Sequence, residues 1–273
     1  MKSAVDIKES LCVSKTGRMC DNEDQLVITP AFIAVIDGAT DKTGGRIDGK
    51  TGGQLTADII RQVLEKDDSL ADKDGAFVVS HIQSALQSYA EEHNTEEQDV
   101  HLSASAAIYS VARRQVWLVG DCQFMIDGTL YLNPKNVDAL LSEARSLAIK
   151  MLLKSGVTEQ ELIHDDISRQ FIMPWLKTQH VLENSDDEYG YQIFSNKGLI
   201  TDVISVRVPV GSHMVLATDG YPKLMPTLAE SESILEKIRR EDPLCYRLYK
   251  STKGVREGNV YFDDRTYISF ITK

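Results

Sequence analysis

The stretch SAAIYSVARRQVWLVGD (Ser105–Asp121) decides the fold class. Two apolar runs of strand length, SAAIYSVA and QVWLVG, flank Arg113 and Arg114, which suits a tight hairpin. A hairpin forces its strands antiparallel. The signal repeats in FMIDGTLYL (Phe124–Leu132), where Asp127-Gly128 sits between apolar residues, the strongest short hairpin signal. VISVRVPVGSHMVLA (Val203–Ala217) reads as a third hairpin, turning at Val210-Gly211-Ser212, and RTYISFI (Arg265–Ile271) as a last strand. Upstream, VDIKESLCVS (Val5–Ser14) partly alternates, LVIT (Leu26–Thr29) is short, and FIAVI (Phe32–Ile36) is continuously apolar, the pattern of a buried strand.

Helical periodicity fills the gaps. Thr51–Glu65 places Leu55, Ile59, Ile60, Val63 and Leu64 on one stripe, and Gly75–Glu92 does so with Val78, Ile82, Leu86 and Tyr89. Further helices are expected around Asp138–Leu153 and Leu228–Arg240, with an irregular segment over Asp165–Gly190. The strict βαβα alternation of a parallel sheet is absent, so the class is α+β, with helices outside antiparallel sheets. No Pro/Gly/Ser linker or repeat divides the chain, which predicts one domain over residues 1–273 with a flap-like segment at about 165–200.

The 273 residues, 42% hydrophobic and 26% charged, are those of an ordinary globular protein. A formal net charge of −11 opposes binding to nucleic acid or to anionic membranes. Its acidic runs, such as EEHNTEEQD (Glu91–Asp99), read as solvated loops. No apolar run reaches the ~18 residues of a membrane span. The start, MKSAVDIKES, lacks the apolar core of a secretory signal, so a cytoplasmic location is expected. Cys12, Cys20, Cys122 and Cys245 form no CxxC pair and the histidines no HExxH, which leaves zinc and a disulfide framework unsupported.

Acids end the strands. Asp37 follows FIAVI, Asp121 follows QVWLVG, Asp219 follows HMVLAT, and Asp263-Asp264 precede RTYISFI. Strand-end aspartates also serve as turn formers. Converging carboxylates, however, cannot all remain ionised without a counter-charge. No lysine or arginine adjoins Asp37, Asp121 or Asp219 in sequence. Carboxylates, carbonyls and water are the ligands of hard cations, Mg²⁺ or Mn²⁺. Gly38 and Gly220, directly after two of these acids, would let a backbone carbonyl approach a ligand.

At these residues the sequence resembles the metal-dependent serine/threonine protein phosphatases of type 2C. The ordered blocks are NED (Asn22–Asp24), AVIDG (Ala34–Gly38), WLVGDCQ (Trp117–Gln123), VLATDG (Val215–Gly220) and DDRT (Asp263–Thr266). They are similar to the family's Glu-Asp, Asp-Gly, Gly-Asp-Ser-Arg, Ser-Asp-Gly and Asp-Asn-x-Thr blocks, from about residue 10 to the C-terminus. The resemblance implies a four-layer α-β-β-α sandwich, two central antiparallel sheets flanked by helices. It implies two Mn²⁺ or Mg²⁺ ions sharing a bridging hydroxide that attacks phosphorus in phosphoserine or phosphothreonine. Asp37 would bridge both ions. The Gly38 carbonyl would hold one, with Glu23 on the same side through water. Asp219 and Asp263 would hold the other, Asp263 being preferred to Asp264 by the threonine spacing. Asp121 would take a loosely bound third ion, and Arg18 would grip the phosphate. A phosphorylated protein would be the substrate, and a cognate Ser/Thr kinase its signalling counterpart.

Departures from the family pattern stand beside the matches. Ala39-Thr40 follow Asp37-Gly38 where the family has its proton-donating histidine; water or Asp41 would have to substitute. Gln123 stands where arginine is usual, and Arg18 lies one residue further from NED than in the common pattern. Two other functions stay open. A phosphatase fold with a weak site would be a sensor or scaffold. GGRIDGKT (Gly44–Thr51) matches the phosphate-binding loop of nucleotide hydrolases and precedes a helix, although Asp37 to Thr43 separate it from its strand. Trp175, in FIMPWLK, would either line the flap beside the site or pack locally.

Overall fold

The computed structural model describes residues 5–40 and 42–273. The strands are β1 (Val5–Val13), β2 (Asp24–Ile28), β3 (Phe32–Gly38), β4 (Ser103–Ser110), β5 (Gln115–Val119), β6 (Gln123–Ile126), β7 (Thr129–Tyr131), β8 (Phe194–Ser195), β9 (Ile204–Arg207), β10 (His213–Ala217) and β11 (Arg265–Thr272). The helices are α1 (Gly52–Lys66), α2 (Gly75–Glu92), α3 (Asn136–Lys154), α4 (Glu159–His164), α5 (Ile167–Gln170), α6 (Met173–Thr178) and α7 (Leu228–Glu241). One sheet runs β1-β11-β10-β6-β7; the other runs β2-β3-β4-β5-β9, with β8 also paired to β4. The strand pairs are antiparallel.

Strand alternation builds the layers. Ile33 and Val35 of β3 and Leu118 of β5 point between the sheets, against Phe124, Leu216 and Phe270 of the other sheet. The alternate residues Ala34, Ile36 and Trp117 point outward, where Ile60 and Leu64 of α1 and Val78 and Ile82 of α2 cover them. FIAVI is continuously apolar because both its faces are covered, and each of its five residues is fully buried. On the far side Val215, Ala217 and Tyr267 lie under Leu235 and Ile238 of α7. The order is helix, sheet, sheet, helix. α3 packs Val137 and Leu141 on Ile172 and Leu176, in the segment expected to be irregular. That segment holds α5 and α6.

Two hairpins form as the sequence indicates. Arg114 turns with φ 50°, and Asp127-Gly128 turn with φ 48° and 84°, both left-handed as a two-residue turn demands. The third expected hairpin does not form. β9 pairs with β5 in one sheet, while β10 pairs with β11 and β6 in the other. The physical reason is edge availability: β10 has both edges taken, so β9 joins the free edge of β5. The crossing is held by Thr272, whose hydroxyl donates to the Pro209 carbonyl at 2.8 Å and whose carbonyl accepts from Gly211 at 3.0 Å.

α1 begins where its pattern indicates. The Thr51 hydroxyl accepts from the Gln54 amide at 3.2 Å, and the Gln54 side chain accepts from the Thr51 amide at 3.1 Å, a reciprocal capping box. Among the described residues no helix is long and apolar enough to cross a membrane.

Candidate functional site

Antiparallel pairing gathers the acids. Asp37 at the end of β3 lies opposite Asp24 at the start of β2 and opposite Ser105 of β4. In the other sheet Ala217, at the end of β10, lies opposite Gln123 and Tyr267. Asp219 therefore leaves β10 at the rim where Asp263 and Asp264 enter β11. Asp121 sits where the chain passes from β5 to β6, hence from one sheet to the other, through Gly120 with φ 80°. A Cβ on Gly120 would meet the Ser105 Oγ at 2.1 Å, so this turn requires glycine. Gln123 closes the rim: its amide nitrogen donates to the carbonyls of Thr218 (3.1 Å) and Tyr221 (2.8 Å).

A cleft of about 360 Å³ opens at this rim. Asp37, Gly38, Asp121, Asp219 and Asp263 line it, together with Lys42, Lys135, Arg169 and Lys253. The lysines come from far along the chain. Lys135 Nζ stands 3.0 Å from Asp121 Oδ2, and the Ser105 hydroxyl donates to Asp121 Oδ1 at 2.5 Å. Lys253 pairs with Asp263. Behind Thr40, Lys15 Nζ stands 3.1 Å from Glu23 Oε2, 3.0 Å from Asp264 Oδ2 and 3.9 Å from Asp263 Oδ1. Asp24, buried, accepts from the hydroxyls of Thr218 (2.8 Å) and Thr266 (2.9 Å).

Charge divides these acids into two kinds. At Asp121, burial raises the pKa but Lys135 and the Ser105 hydroxyl outweigh it, so the carboxyl titrates below its ordinary value. At Asp263 burial is likewise outweighed, by Lys253 and Lys15. Asp37 and Asp219 behave oppositely. Burial, then repulsion from Asp219, Asp24 and Asp121, pushes Asp37 well up. Burial, then Asp263 and Asp121, pushes Asp219 up to about 7, although the Lys253 ammonium and a hydrogen bond with Asp37 oppose this. The two carboxyls are crowded like charges, and each raises the pKa of its neighbour.

Among the described residues, no three His, Cys, Asp or Glu side chains form a ready ligand cluster for a metal ion. The lysines account for this, because each draws a carboxylate to itself. The donors at Asp37 and Asp219 nevertheless fit a divalent cation. They are oxygen ligands, crowded, shifted up by burial and like charge, and lining the cleft. Glu23 fits an ion poorly, since it does not line the cleft and both its oxygens accept hydrogen bonds, from Thr51 on one side and from Thr40 and Lys15 on the other.

Other expected residues sit elsewhere. Arg18 is exposed, its guanidinium 2.6 Å from Asp21, and does not line the cleft. Asp41 lies outside the described residues. Asp264 turns from the cleft, accepting from the backbone amides of Lys15 (2.7 Å) and Glu23 (3.2 Å), while Asp263 faces into it. Trp175 is 57% exposed and does not line the cleft. Lys50, in the stretch like a nucleotide-binding loop, pairs with Asp58 at 2.5 Å; the loop precedes α1 but follows an antiparallel strand. Lys42 and Arg169 had no local signal in the sequence. Burial, then Lys253 and Arg169, pushes the Lys42 ammonium down to about 7. Arg169 Nε is buried without a hydrogen-bond partner.

The sequence matches no protein-family profile, and no curated protein matches it significantly. Solved structures do match over nearly the whole chain. The Mycobacterium tuberculosis serine/threonine phosphatase PstP/Ppp is 15% identical with a TM-score of 0.51, covering 98% of this chain and 99% of that one. The catalytic domain of PstP, in complex with two manganese ions, gives 15% and 0.52, covering 98% of each chain. A bacterial serine phosphatase gives 13% and 0.50, covering 97% of this chain and 98% of that one. At such identities the likeness is one of architecture, and it agrees with the helix–sheet–sheet–helix order. This chain has the fold of the metal-dependent serine/threonine phosphatases of type 2C.

Proposed function

We propose that the protein hydrolyses phosphoserine or phosphothreonine in a protein substrate, with Mn²⁺ or Mg²⁺ as cofactor. The observation that carries this is the Asp37–Asp219 pair: two crowded carboxyls, neither in an ion pair among the described residues, in a cleft that lysine and arginine also line. Asp37 and Asp219, with Asp263 and the Gly38 carbonyl, would hold a divalent cation, which would supply an activated water and neutralise charge on the phosphoryl oxygens. Asp121 keeps its charge through Lys135 and would support a further, loosely held ion only by giving that lysine up. The two-ion centre that the resemblance implies would need Glu23 released from Lys15.

The chain's own residues supply the rest. Arg169 and Lys253 line the cleft and would bind the phosphate dianion, Lys253 on leaving Asp263. Arg18, committed to Asp21 at the surface, is the weaker candidate. Lys42 Nζ, also on the cleft, carries a proton that near-neutral pH can release to the departing serine oxygen, the task of the absent histidine. The acidic surface favours basic phosphopeptides. Partnership with a Ser/Thr kinase follows from the substrate class.

The test is release of phosphate from a phosphothreonine peptide with Mn²⁺, before and after EDTA, for wild type and Asp37→Asn. Full activity in EDTA, or in Asp37→Asn, overturns the proposal. The lysines paired to Asp121, Asp263 and Glu23 favour a second reading, a catalytically weak sensor or scaffold. No turnover of p-nitrophenyl phosphate with saturating Mn²⁺ would decide for it.

A further inference from the structure

Glu23 and Lys15 form a built unit. The Lys15 amide donates to Asp264 Oδ1 at 2.7 Å, and its ammonium donates to Asp264 Oδ2 at 3.0 Å, so one carboxylate grips both ends of the residue. The Lys15 carbonyl accepts from the amides of Val260 (2.8 Å) and Tyr261 (3.2 Å), which ties the loop after β1 to the segment leading into β11. The lysine side chain is only 18% exposed. Glu23 in turn is saturated: Thr51 donates to Oε1 at 2.7 Å, and Thr40 (2.6 Å) and Lys15 (3.1 Å) donate to Oε2. A divalent ion reaching Glu23 would have to break a charge-assisted bond and strand a buried ammonium.

We propose that the Lys15 ammonium stands in place of a second divalent cation, so that the site takes a single ion, between Asp37 and Asp219. This rests on the metal-dependent function proposed above. An ammonium carries the charge that neutralises Glu23 and Asp264 but has only donors to offer, so it holds the carboxylates without acting as a Lewis acid. The same device recurs at Asp121, where Lys135 at 3.0 Å takes a position at which the resemblance implies a loosely held ion. Among the described residues no lysine forms an ion pair with Asp37 or Asp219, and both line the cleft, where an ion can enter.

Counting bound ions tests this without substrate. Chelator-stripped protein is titrated with Mn²⁺ by calorimetry, and bound manganese is counted after equilibrium dialysis by elemental analysis. Wild type should bind about one Mn²⁺ per chain and Lys15→Met about two, Glu23 being freed as an oxygen ligand. Two ions in wild type overturn the proposal while leaving metal-dependent hydrolysis intact. One ion in a folded Lys15→Met also overturns it. No ion in wild type overturns the metal-dependent function and this inference with it. Should Lys15→Met fail to fold, Lys15→Gln serves in its place, and the wild-type count decides by itself if neither folds.

Discussion

Replacing Asp219 with asparagine should make the metal-free protein more stable while abolishing its response to manganese. The Asp219 carboxyl is pushed up from 3.8 to about 7, first by burial and then by Asp263 and Asp121. With its pKa raised in the folded state, the native protein holds more protons than the unfolded chain between about pH 4 and pH 7. Stability therefore falls as pH rises through that window, and the whole cost is present above about pH 7. At about 1.4 kcal/mol for each pH unit of displacement, the ceiling is roughly 4 kcal/mol. Water reaching the cleft and movement of Lys253 lower this to ~2 kcal/mol. Asparagine keeps the shape and a hydrogen bond to Asp37 without the charge, so the variant should recover that amount. In a domain of this size the gain corresponds to a melting temperature higher by about 3–4 °C at about pH 8. Near pH 4, where the aspartate is itself protonated, the difference should vanish. Thermal melts in EDTA across this range read the effect, and the same melts with Mn²⁺ should stabilise wild type but not the variant. A variant that melts at or below wild type in EDTA at pH 8, or one with the same gain at every pH, would refute the claim that these carboxyls are crowded charges.

Arg169→Ala should raise KM for a phosphopeptide with Mn²⁺ by about 10-fold to 100-fold, the loss of a charge-assisted phosphate contact, whereas Arg18→Ala should leave kcat/KM within about 3-fold because its partner is Asp21 at the surface; the reverse result returns the phosphate to Arg18. Gly53→Ala should destabilise by ~1–3 kcal/mol in urea unfolding, even though alanine is the better helix former. Its Cβ would meet the Ala39 carbonyl oxygen at 2.6 Å and the Gly38 carbonyl carbon at 2.8 Å, backbone that cannot yield without moving the end of β3 and Asp37 with it. Arg145→Ala should cost ~3–5 kcal/mol, because removing one partner leaves a buried charge unpaired. Arg145 is fully buried, bonds Asp166 at 2.7 Å, and donates to the carbonyls of Leu244 (2.8 Å) and Ser251 (3.0 Å), so it ties α3 to the cap of α5 and to the loop leading to Lys253. A change below ~1 kcal/mol would show that this tie is not structural.

Much of the architecture was legible in single stretches of chain. FIAVI is apolar without alternation because two layers cover it, and Arg114 and Asp127-Gly128 carry the left-handed turns of hairpins. Thr51 marks the start of α1 because its hydroxyl and Gln54 satisfy each other. The acids at the strand tips were legible for the same reason: a carboxylate at the end of an apolar run is a local anomaly, and antiparallel pairing then brings such ends to common rims. Asp24 had no such mark, since it adjoins Glu23 in NED and only the β2–β3 register sets it opposite Asp37.

Local chemistry determined that four apolar strands carry acids at one tip. Only the folded chain decided which neighbours those tips acquire. Val203–Ala217 has the pattern of a hairpin, yet both edges of β10 are claimed by β11 and β6, and an edge is a property of the finished sheet. Arg18 is near the acids in sequence but turns to Asp21, whereas Lys15 reaches Asp264 across 249 residues. Ion pairing depends on distance and burial, and residues far apart along the chain acquire both only when the two sheets close on each other.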